Sequence, residues 1–225
     1  MDWEALLLTI KLDVVVCGAL LTIGVPIAYW LASSRWRWKF LIEATVALPL
    51  VLPPTVLGFY MLLTLGPRSP VGKTYDWIWG RGLPFTFEGL VAASIVYSLP
   101  FMVQPVSAAF ASVDPKLLAA SSVLGASRLR TFLRVVLPLS LSGLLTGVVL
   151  TFAHTLGEFG VVLMVGGNIP GVTRTVSISI YDNVQALDYS SAARTSLVLL
   201  LASFLVLSVV YAINRGGSII WPRKR

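Results

Sequence analysis

Five long runs of apolar residues alternate along the chain with shorter segments rich in Pro, Gly and charged residues. A helix needs about 20 apolar residues to cross a hydrocarbon core of about 30 Å. Because a chain in lipid must satisfy its backbone polar groups internally, each run is predicted to be a transmembrane helix. None of the runs contains Lys, Arg, Asp or Glu, and they cover residues 14–32, 44–66, 89–113, 135–156 and 195–214.

The composition agrees with a membrane protein. Of the 225 residues, 56% are hydrophobic and 12% charged, with a mean hydropathy of +0.85, whereas soluble domains carry about 25% charged residues. No polar linker divides the chain, which predicts one all-α transmembrane domain over residues 1–225. The acidic start at Asp2 and Glu4 differs from the basic start of a cleavable signal, so the first run is expected to remain in the protein. A single cysteine, Cys17, excludes an internal disulfide.

The formal net charge of +7 is unevenly distributed. Eleven of the seventeen basic residues fall in alternate loops: Arg35, Arg37, Lys39, Lys116, Arg128, Arg130, Arg134, Arg215, Arg223, Lys224 and Arg225. The positive-inside rule then places the N-terminus outside and the C-terminus in the cytoplasm. Basic charge is therefore interpreted as an orientation signal, and a nucleic-acid partner is not expected.

The cytoplasmic segment 114–134 carries a helix signal. Asp114 followed by Pro115 is typical of a helix start, and Gly125 is suited to a left-handed helix end. A helix is predicted over about 115–124, and a second short one over 128–134 that leads to Pro138 at the membrane. The segment is interpreted as an ATPase-coupling loop that docks in a groove of a partner, and the alternative is an ordinary amphipathic connector. The candidate coupling residues are Leu117, Leu118, Ala119, Ala120, Ser121, Gly125 and Pro138, with Leu124 as a further apolar contact.

Two apolar runs are interrupted by prolines: Pro49, Pro53 and Pro54 in the second, Pro100 and Pro105 in the third. Each proline removes a helical hydrogen bond and bends its helix, and freed carbonyls at membrane depth are tolerated where they line a cavity. Bent helices lining a pathway are therefore predicted, with passive packing kinks as the alternative. The candidate pathway residues here are Pro53, Pro54 and Thr55.

The segment after the fourth run contains a carboxylate at membrane depth. Glu158 lies between Gly157 and Gly160, whose spacing favours close helix contact. An ionisable residue at this depth is a functional candidate, so Gly157, Glu158 and Gly160 are interpreted as a gate or helix interface. The alternative is a surface glutamate that snorkels to water. His154 is expected to be packed and hydrogen-bonded.

Catalysis and metal binding are not indicated. The segment 66–74 resembles a phosphate-binding loop, but it has five residues between its glycine and the Gly-Lys pair instead of four, and Pro67 and Pro70 remove N–H donors. The chain has one histidine and one cysteine, in different spans, and neither a nucleophile elbow nor clustered metal ligands. The prediction is a non-enzyme without a cofactor or metal of its own.

The cytoplasmic segment resembles the coupling loop of bacterial ABC-importer permeases, E-A-A-x3-G-x9-I-x-L-P. Ala120, Gly125, Leu137 and Pro138 match that pattern, while Ala119, Ser121 and Val135 replace its Glu, second Ala and Ile. The spacing is preserved in full. The resemblance implies the type I ABC-importer permease fold, with about five transmembrane helices and a cytoplasmic coupling helix.

Three segments, 48–54, 156–160 and 168–175, together look like molybdate-transporter permeases, and the Asn-Ile-Pro-Gly-x-Thr-Arg-Thr segment 168–175 is the discriminating one. The resemblance implies a bacterial inner-membrane protein in which two copies form the pathway. It also implies a cytoplasmic ABC ATPase dimer that binds ATP and Mg, and a periplasmic or lipid-anchored binding protein for molybdate or tungstate.

Two other functions stay open: a sulfate or other inorganic-anion permease, and a secondary transporter or channel working alone. Docking of the binding protein is expected on residues 67–87, read as a loop, and on 165–194, where an amphipathic helix is predicted over 176–186. The candidate docking residues are Asn168, Pro170, Gly171 and Arg174.

Overall fold

All five predicted runs are helical in the computed structural model, which describes the backbone of residues 2–220 and the side chains of residues 2–208, 211 and 212. Arg223, Lys224 and Arg225, the end of the predicted cytoplasmic basic cluster, lie outside the described residues. The helices are α1 (Trp3–Ser33), α2 (Lys39–Val51), α3 (Pro54–Leu65), α4 (Pro70–Trp79), α5 (Phe87–Ala111), α6 (Pro115–Val123), α7 (Arg128–Thr131), α8 (Leu137–Leu139), α9 (Leu141–Leu156), α10 (Gly160–Gly166), α11 (Val176–Gln185) and α12 (Tyr189–Ile220). A π-helical turn, Phe132–Val136, connects α7 to α8.

Three helices are long and apolar enough to cross a membrane unbroken: α1, α5 and the part Tyr189–Ser208 of α12. Two further spans are bent, by 115° between α2 and α3 and by 72° between Arg128–Leu139 and α9. Counting each bent pair as one crossing gives up to five spans. The predicted all-α architecture with about five transmembrane helices is confirmed.

The sharp bend between α2 and α3 has a local cause. Pro53 cannot donate a backbone hydrogen bond, and Pro54 restarts the helix at its first position. At the far end of α2, Lys39 lines a cavity together with Ala111, the last residue of α5. At the far end of α3, Leu65 packs with Leu83, which lies shortly before the start of α5. The two helices therefore link opposite ends of α5, as a broken span does.

The core lies where α1, α5 and α9 meet. Leu12, Val16 and Leu20 of α1 pack with Met102 and Val106 of α5, and all five side chains are fully buried. Helix α9 approaches α5 through glycines, and a Cβ placed at Gly143 would collide with Ala109. Small residues permit this close backbone approach. In lipid, the resulting van der Waals packing holds helices together, because hydrophobic burial provides little driving force there.

The first helix begins eleven residues before the predicted span. Its start is capped by Asp2, whose carboxylate accepts a hydrogen bond from the Ala5 N–H at 3.0 Å. The expectation that the first span carries no charged residue is therefore wrong for this helix, because α1 includes Glu4, Lys11 and Asp13. Only the last of these is buried.

The prediction that the segment 67–87 is a loop is wrong for its middle, which α4 occupies. Ser69 caps this helix by accepting a hydrogen bond from the Gly72 N–H at 2.8 Å, and Pro70 takes its first position. Gly80 ends it in the left-handed conformation, with φ of 66°. A Ser-Pro start and a Gly end are helix signals that the content of Pro and Gly alone conceals. The amphipathic helix predicted over 176–186 is confirmed as α11.

Candidate coupling surface and membrane pathway

Helix α6, in the segment predicted to be cytoplasmic, forms from the local signals of its sequence. The Asp114 carboxylate accepts a hydrogen bond from the Lys116 N–H at 2.8 Å, with Pro115 at the first helical position. Gly125 has a φ of 71°, and its N–H donates to the Ser122 carbonyl at 3.0 Å. The predicted helix and its glycine end are thus present.

Packing against neighbouring helices holds α6 to the membrane domain. The Ser121 and Thr131 hydroxyl oxygens lie 2.7 Å apart, joining α6 to α7. Phe132 then meets Tyr29 of α1 and Phe110 of α5 edge to face, with ring centroids 4.7 and 5.7 Å away. Packed side chains therefore connect α6 to the adjacent ends of α1 and α5.

The outer side of this helix presents apolar and small residues to solvent. Val123 and Leu124 are 87% and 86% exposed, and Leu117 is 45% exposed. We call these exposed residues the candidate coupling surface, or coupling surface for short: Leu117, Ala119, Ala120, Val123 and Leu124.

Two predicted coupling residues face the protein's own chain instead. Leu118 packs on the hydrophobic core, and Ser121 is buried beside Thr131. Pro138 is exposed in α8, just after the π-helical turn. The sequence pattern predicted exposure of an apolar contact residue at Leu124 but did not single out its neighbour Val123, which is equally exposed.

The predicted pathway and gate segments meet in space. Pro54, at the start of α3, touches the start of α10, because a Cβ placed at Gly160 would come within 2.7 Å of the Pro54 Cβ. Gly58, one turn later, packs equally closely on Met164 of α10. Pro53, Pro54 and Thr55 are all exposed at the break between α2 and α3. The breaks α2–α3 and α9–α10 therefore form one contact region.

Glu158 occupies the α9–α10 junction and is buried, with 4% of its surface exposed, whereas its neighbour Gly157 is exposed. The alternative of a glutamate that snorkels to water is wrong for this position. Its backbone carbonyl accepts a hydrogen bond from the Ser177 hydroxyl of α11. This hydrogen bond connects the junction to α11.

His154 is a packed residue, as predicted. Its ring stacks on Phe101 and contacts Tyr97 edge to face, with centroid distances of 4.0 and 4.5 Å. Its Nδ1 lies 3.0 Å from the Ser98 hydroxyl, which in turn lies 2.9 Å from the Thr155 hydroxyl. These contacts join α5 to the last turn of α9.

The loop between α10 and α11 is organised by Arg174. Its Nε donates to the Asn168 Oδ1 at 2.7 Å, and its guanidinium lies 3.5 Å from Asp182 and 3.9 Å from Asp2. Two of the predicted docking residues therefore also connect the N-terminus, the loop and α11. The exposed residues of the loop are Asn168, Ile169, Pro170, Gly171 and Val172.

The geometry thus combines bent spans with a short helix, α6, that exposes apolar side chains. Residues 24–216 match the family described as "Binding-protein-dependent transport system inner membrane component". The chain belongs to this family. Members of this family are membrane components of transport systems. The prediction that the chain is a transport subunit is therefore confirmed at the level of the family.

Individual relatives refine this placement. The chain is 50% identical over 214 residues to the molybdenum transport system permease protein ModB of Azotobacter vinelandii, covering 95% of each chain. It is 34% identical over 187 residues to the sulfate transport system permease protein CysT of Salmonella typhimurium, covering 82% of this chain and 66% of that one. The structure matches a bacterial alginate ABC transporter bound to its periplasmic protein, with a TM-score of 0.75, 18% identity, and coverage of 97% and 79%. The fold is that of an ABC-importer permease.

Proposed function

We propose that this chain is the membrane-spanning subunit of an ATP-driven importer for molybdate. The observation that carries the proposal is its 50% identity, over 95% of both chains, to a molybdenum transport permease. The sulfate relative is less similar, at 34% identity over a smaller share of each chain. Molybdate and tungstate have the same charge and shape, so tungstate belongs to the same substrate class.

The proposed complex contains two copies of the chain, a cytoplasmic ABC ATPase dimer that binds ATP and Mg, and an exterior binding protein. The coupling surface supports the ATPase partner, because Val123 and Leu124 expose apolar side chains at the end of a capped helix. Two copies related by a twofold axis supply two such helices, one for each ATPase subunit. The N-terminus is placed outside and the C-terminus in the cytoplasm by the distribution of basic residues.

The proposed mechanism is alternating access driven by the ATPase. Movement of α6 passes through Phe132 to the ends of α1 and α5, and through the π-helical turn to α8 and α9. Helix α9 ends at the junction that packs on the α2–α3 break, where Gly160 meets Pro54. A change at the coupling surface thereby alters the contact region between the two breaks. ATP supplies the differential free energy between the two states.

Substrate selection is assigned to the exterior binding protein. No Lys or Arg is buried among the residues whose side chains are described, and the buried ionisable groups include Asp13 and Glu158, which are acidic. A desolvated dianion without paired charge or donated hydrogen bonds is costly to hold. The membrane passage therefore suits weak binding and ready release. Arg174 and Asn168 are candidate docking contacts on the exterior side.

Uptake of labelled molybdate, tungstate and sulfate tests the proposal in cells that lack their own transporters for these anions. The chain is expressed with its ATPase and binding protein, and a control carries an ATPase that cannot hydrolyse ATP. We expect molybdate and tungstate uptake only with the active ATPase. Uptake of sulfate alone would favour the sulfate permease, and uptake with the inactive ATPase would favour a secondary transporter.

A further inference from the structure

Two buried carboxyl groups lie inside the helix bundle without hydrogen-bond partners. Asp13 of α1 is fully buried, and Glu158 at the α9–α10 junction is 4% exposed. None of their four carboxyl oxygens has a hydrogen-bond partner among the described residues. The hydroxyls of Ser94 in α5 and Thr151 in α9 are likewise buried and unpartnered in the described part of the chain. We call these four residues the carboxyl cluster.

The members of the cluster come from α1, α5, α9 and the α9–α10 junction. Asp13 lies one turn along α1 from Thr9, and Thr9 and the Glu158 carbonyl are hydrogen-bonded to the adjacent residues Val176 and Ser177. The Ser94 hydroxyl faces the Glu158 carboxyl, although the pair lacks the geometry of a regular hydrogen bond. Among the described residues, four buried side chains with unpartnered oxygens therefore lie in one part of the bundle.

The orientation of α1 and α9 brings their polar residues to the same level. The Thr9 hydroxyl accepts a hydrogen bond from the Val176 N–H at 2.9 Å, while the neighbouring Ser177 donates to the Glu158 carbonyl. The start of α1 and the end of α9 thus meet at the same segment. The two helices run in opposite directions.

A contact further along the helices fixes this register. The Cys17 Sγ lies 3.9 Å from the Val148 carbonyl oxygen. Asp13 is one turn before Cys17 in α1, and Thr151 is about one turn after Val148 in α9. Because the helices are antiparallel, Asp13 and Thr151 lie at the same level.

No basic side chain neutralises the cluster within the described residues. The other titratable groups near it are Cys17 on α1, Tyr97 on α5 and His154 on α9. His154 faces Ser98 between two aromatic rings. Lys11 is exposed and lies over the Phe87 ring, 4.4 Å from its centroid.

An ionised carboxylate buried without a partner is strongly unfavourable. Ionising both carboxyl groups costs more free energy than ionising one, because each negative charge disfavours the other. A protonated carboxyl group removes the charge and gains a donor. That donor can then satisfy a buried acceptor, such as the unpartnered hydroxyl of Ser94.

We propose that Asp13 and Glu158 form a proton-binding site inside the membrane domain, holding at least one proton between them at neutral pH. A metal ion is a poorer ligand for this site, because hard cations such as Ca²⁺ take about six to eight oxygen ligands. The cluster offers two carboxyl groups and two hydroxyls, while helical carbonyls are occupied by backbone hydrogen bonds. Since Glu158 lies at the junction beside the α2–α3 break, opening of that junction exposes the site to water and lets it exchange its proton.

Infrared spectroscopy of the full chain in lipid nanodiscs tests this proposal. At neutral pH the unmodified protein should show the carbonyl band of a protonated carboxyl group, and Asp13→Asn or Glu158→Gln should weaken or remove it. The matched control is Asp188→Asn at the exposed start of α12. Hydrogen bonds from Ser191 lower the pKa of Asp188, so this control should leave the band unchanged.

The pH dependence of thermal unfolding provides a second measurement. The folded protein holds a proton that the unfolded chain releases at neutral pH, so raising the pH should lower the unfolding temperature. Between the titration of the carboxyl groups in the unfolded chain and their titration in the folded protein, each pH unit should shift the folding equilibrium by about tenfold per proton toward the unfolded chain. The double variant Asp13→Asn, Glu158→Gln should lose this dependence, whereas Asp188→Asn should keep it.

Two results would overturn the proposal. One is the absence of the protonated-carboxyl band from the unmodified protein, or a band that neither Asp13→Asn nor Glu158→Gln alters. The other is a rise in unfolding temperature on adding Na⁺ or Ca²⁺ at constant ionic strength, abolished by the same substitutions, which would make the cluster a metal-cation site. If the variants do not fold, the band and the pH dependence of the unmodified protein decide the question.

Discussion

Replacing Gly125 with Val perturbs the coupling helix without touching the membrane domain. Gly125 ends α6 with a φ of 71°, and a Cβ built there meets nothing within 4 Å. The substitution therefore causes no steric collision. Its whole effect comes from the backbone, because a β-branched residue is strained in the left-handed region.

The magnitude follows from that strain. A left-handed conformation costs an L-residue about 1–2 kcal/mol, and such a difference corresponds to about a 5- to 30-fold change in an equilibrium. If the variant keeps the native turn, the population of the docking-competent form of α6 should fall by about this factor. If the variant backbone adopts another conformation instead, it loses the hydrogen bond from the N–H of residue 125 to the Ser122 carbonyl, and the side chain of Leu124 changes direction.

The assay is reconstituted uptake together with ATPase activity and the yield of the permease–ATPase complex. Gly125→Val should lower complex yield or uptake severalfold while the permease itself is produced and folded normally. Gly80→Val is the matched control, since Gly80 at the end of α4 has a φ of 66° and equally open surroundings. It should leave ATPase coupling intact. Gly125→Asn, which tolerates the left-handed region, should be milder.

Normal uptake and normal complex yield with Gly125→Val would refute the assignment of this segment as the coupling loop. An equal loss of coupling in Gly80→Val would refute it as well. The effect would then be general strain unrelated to docking.

Three further predictions concern topology, substrate binding and packing. In a variant lacking Cys17, cysteines at the exposed positions Arg68 and Arg130 should be labelled from outside and from the cytoplasm, respectively, and the reverse pattern would invert the proposed orientation. The purified permease with its ATPase, but without the binding protein, should show no submicromolar molybdate binding by calorimetry, and a tight stoichiometric heat would move the specificity site into the membrane. Gly143→Ala should lower stability by about 1–3 kcal/mol in thermal unfolding because its Cβ collides with α5. Gly18→Ala, in open surroundings on α1, should be neutral or stabilising, and similar losses in both would contradict the packing argument.

The sequence alone determined the features that depend on local chemistry. Hydropathy identified all five helical runs, because an uninterrupted apolar stretch in lipid has few alternatives to a helix. The ends of α6 were predictable from Asp114, Pro115 and Gly125, since a cap and a left-handed glycine act within one turn. The bend between α2 and α3 followed from Pro53 and Pro54, although its angle did not. The break expected at Pro100 and Pro105 is absent, because α5 continues through both prolines, and the 72° bend before α9 was not predicted.

Only the tertiary structure decided which distant residues meet. Asp13 lies just beyond the apolar run that a hydropathy count detects, and its burial results from the packing of α1 against α5 and α9. Pro54 and Gly160 are far apart in sequence, and their contact depends on how α3 crosses α10. Arg174 is an exposed-looking cation in the sequence, but Asn168 and Asp182 engage it once the loop closes on α11. Burial and pairing are set by neighbours from other helices, and a single sequence specifies each helix more directly than it specifies the faces that pack together.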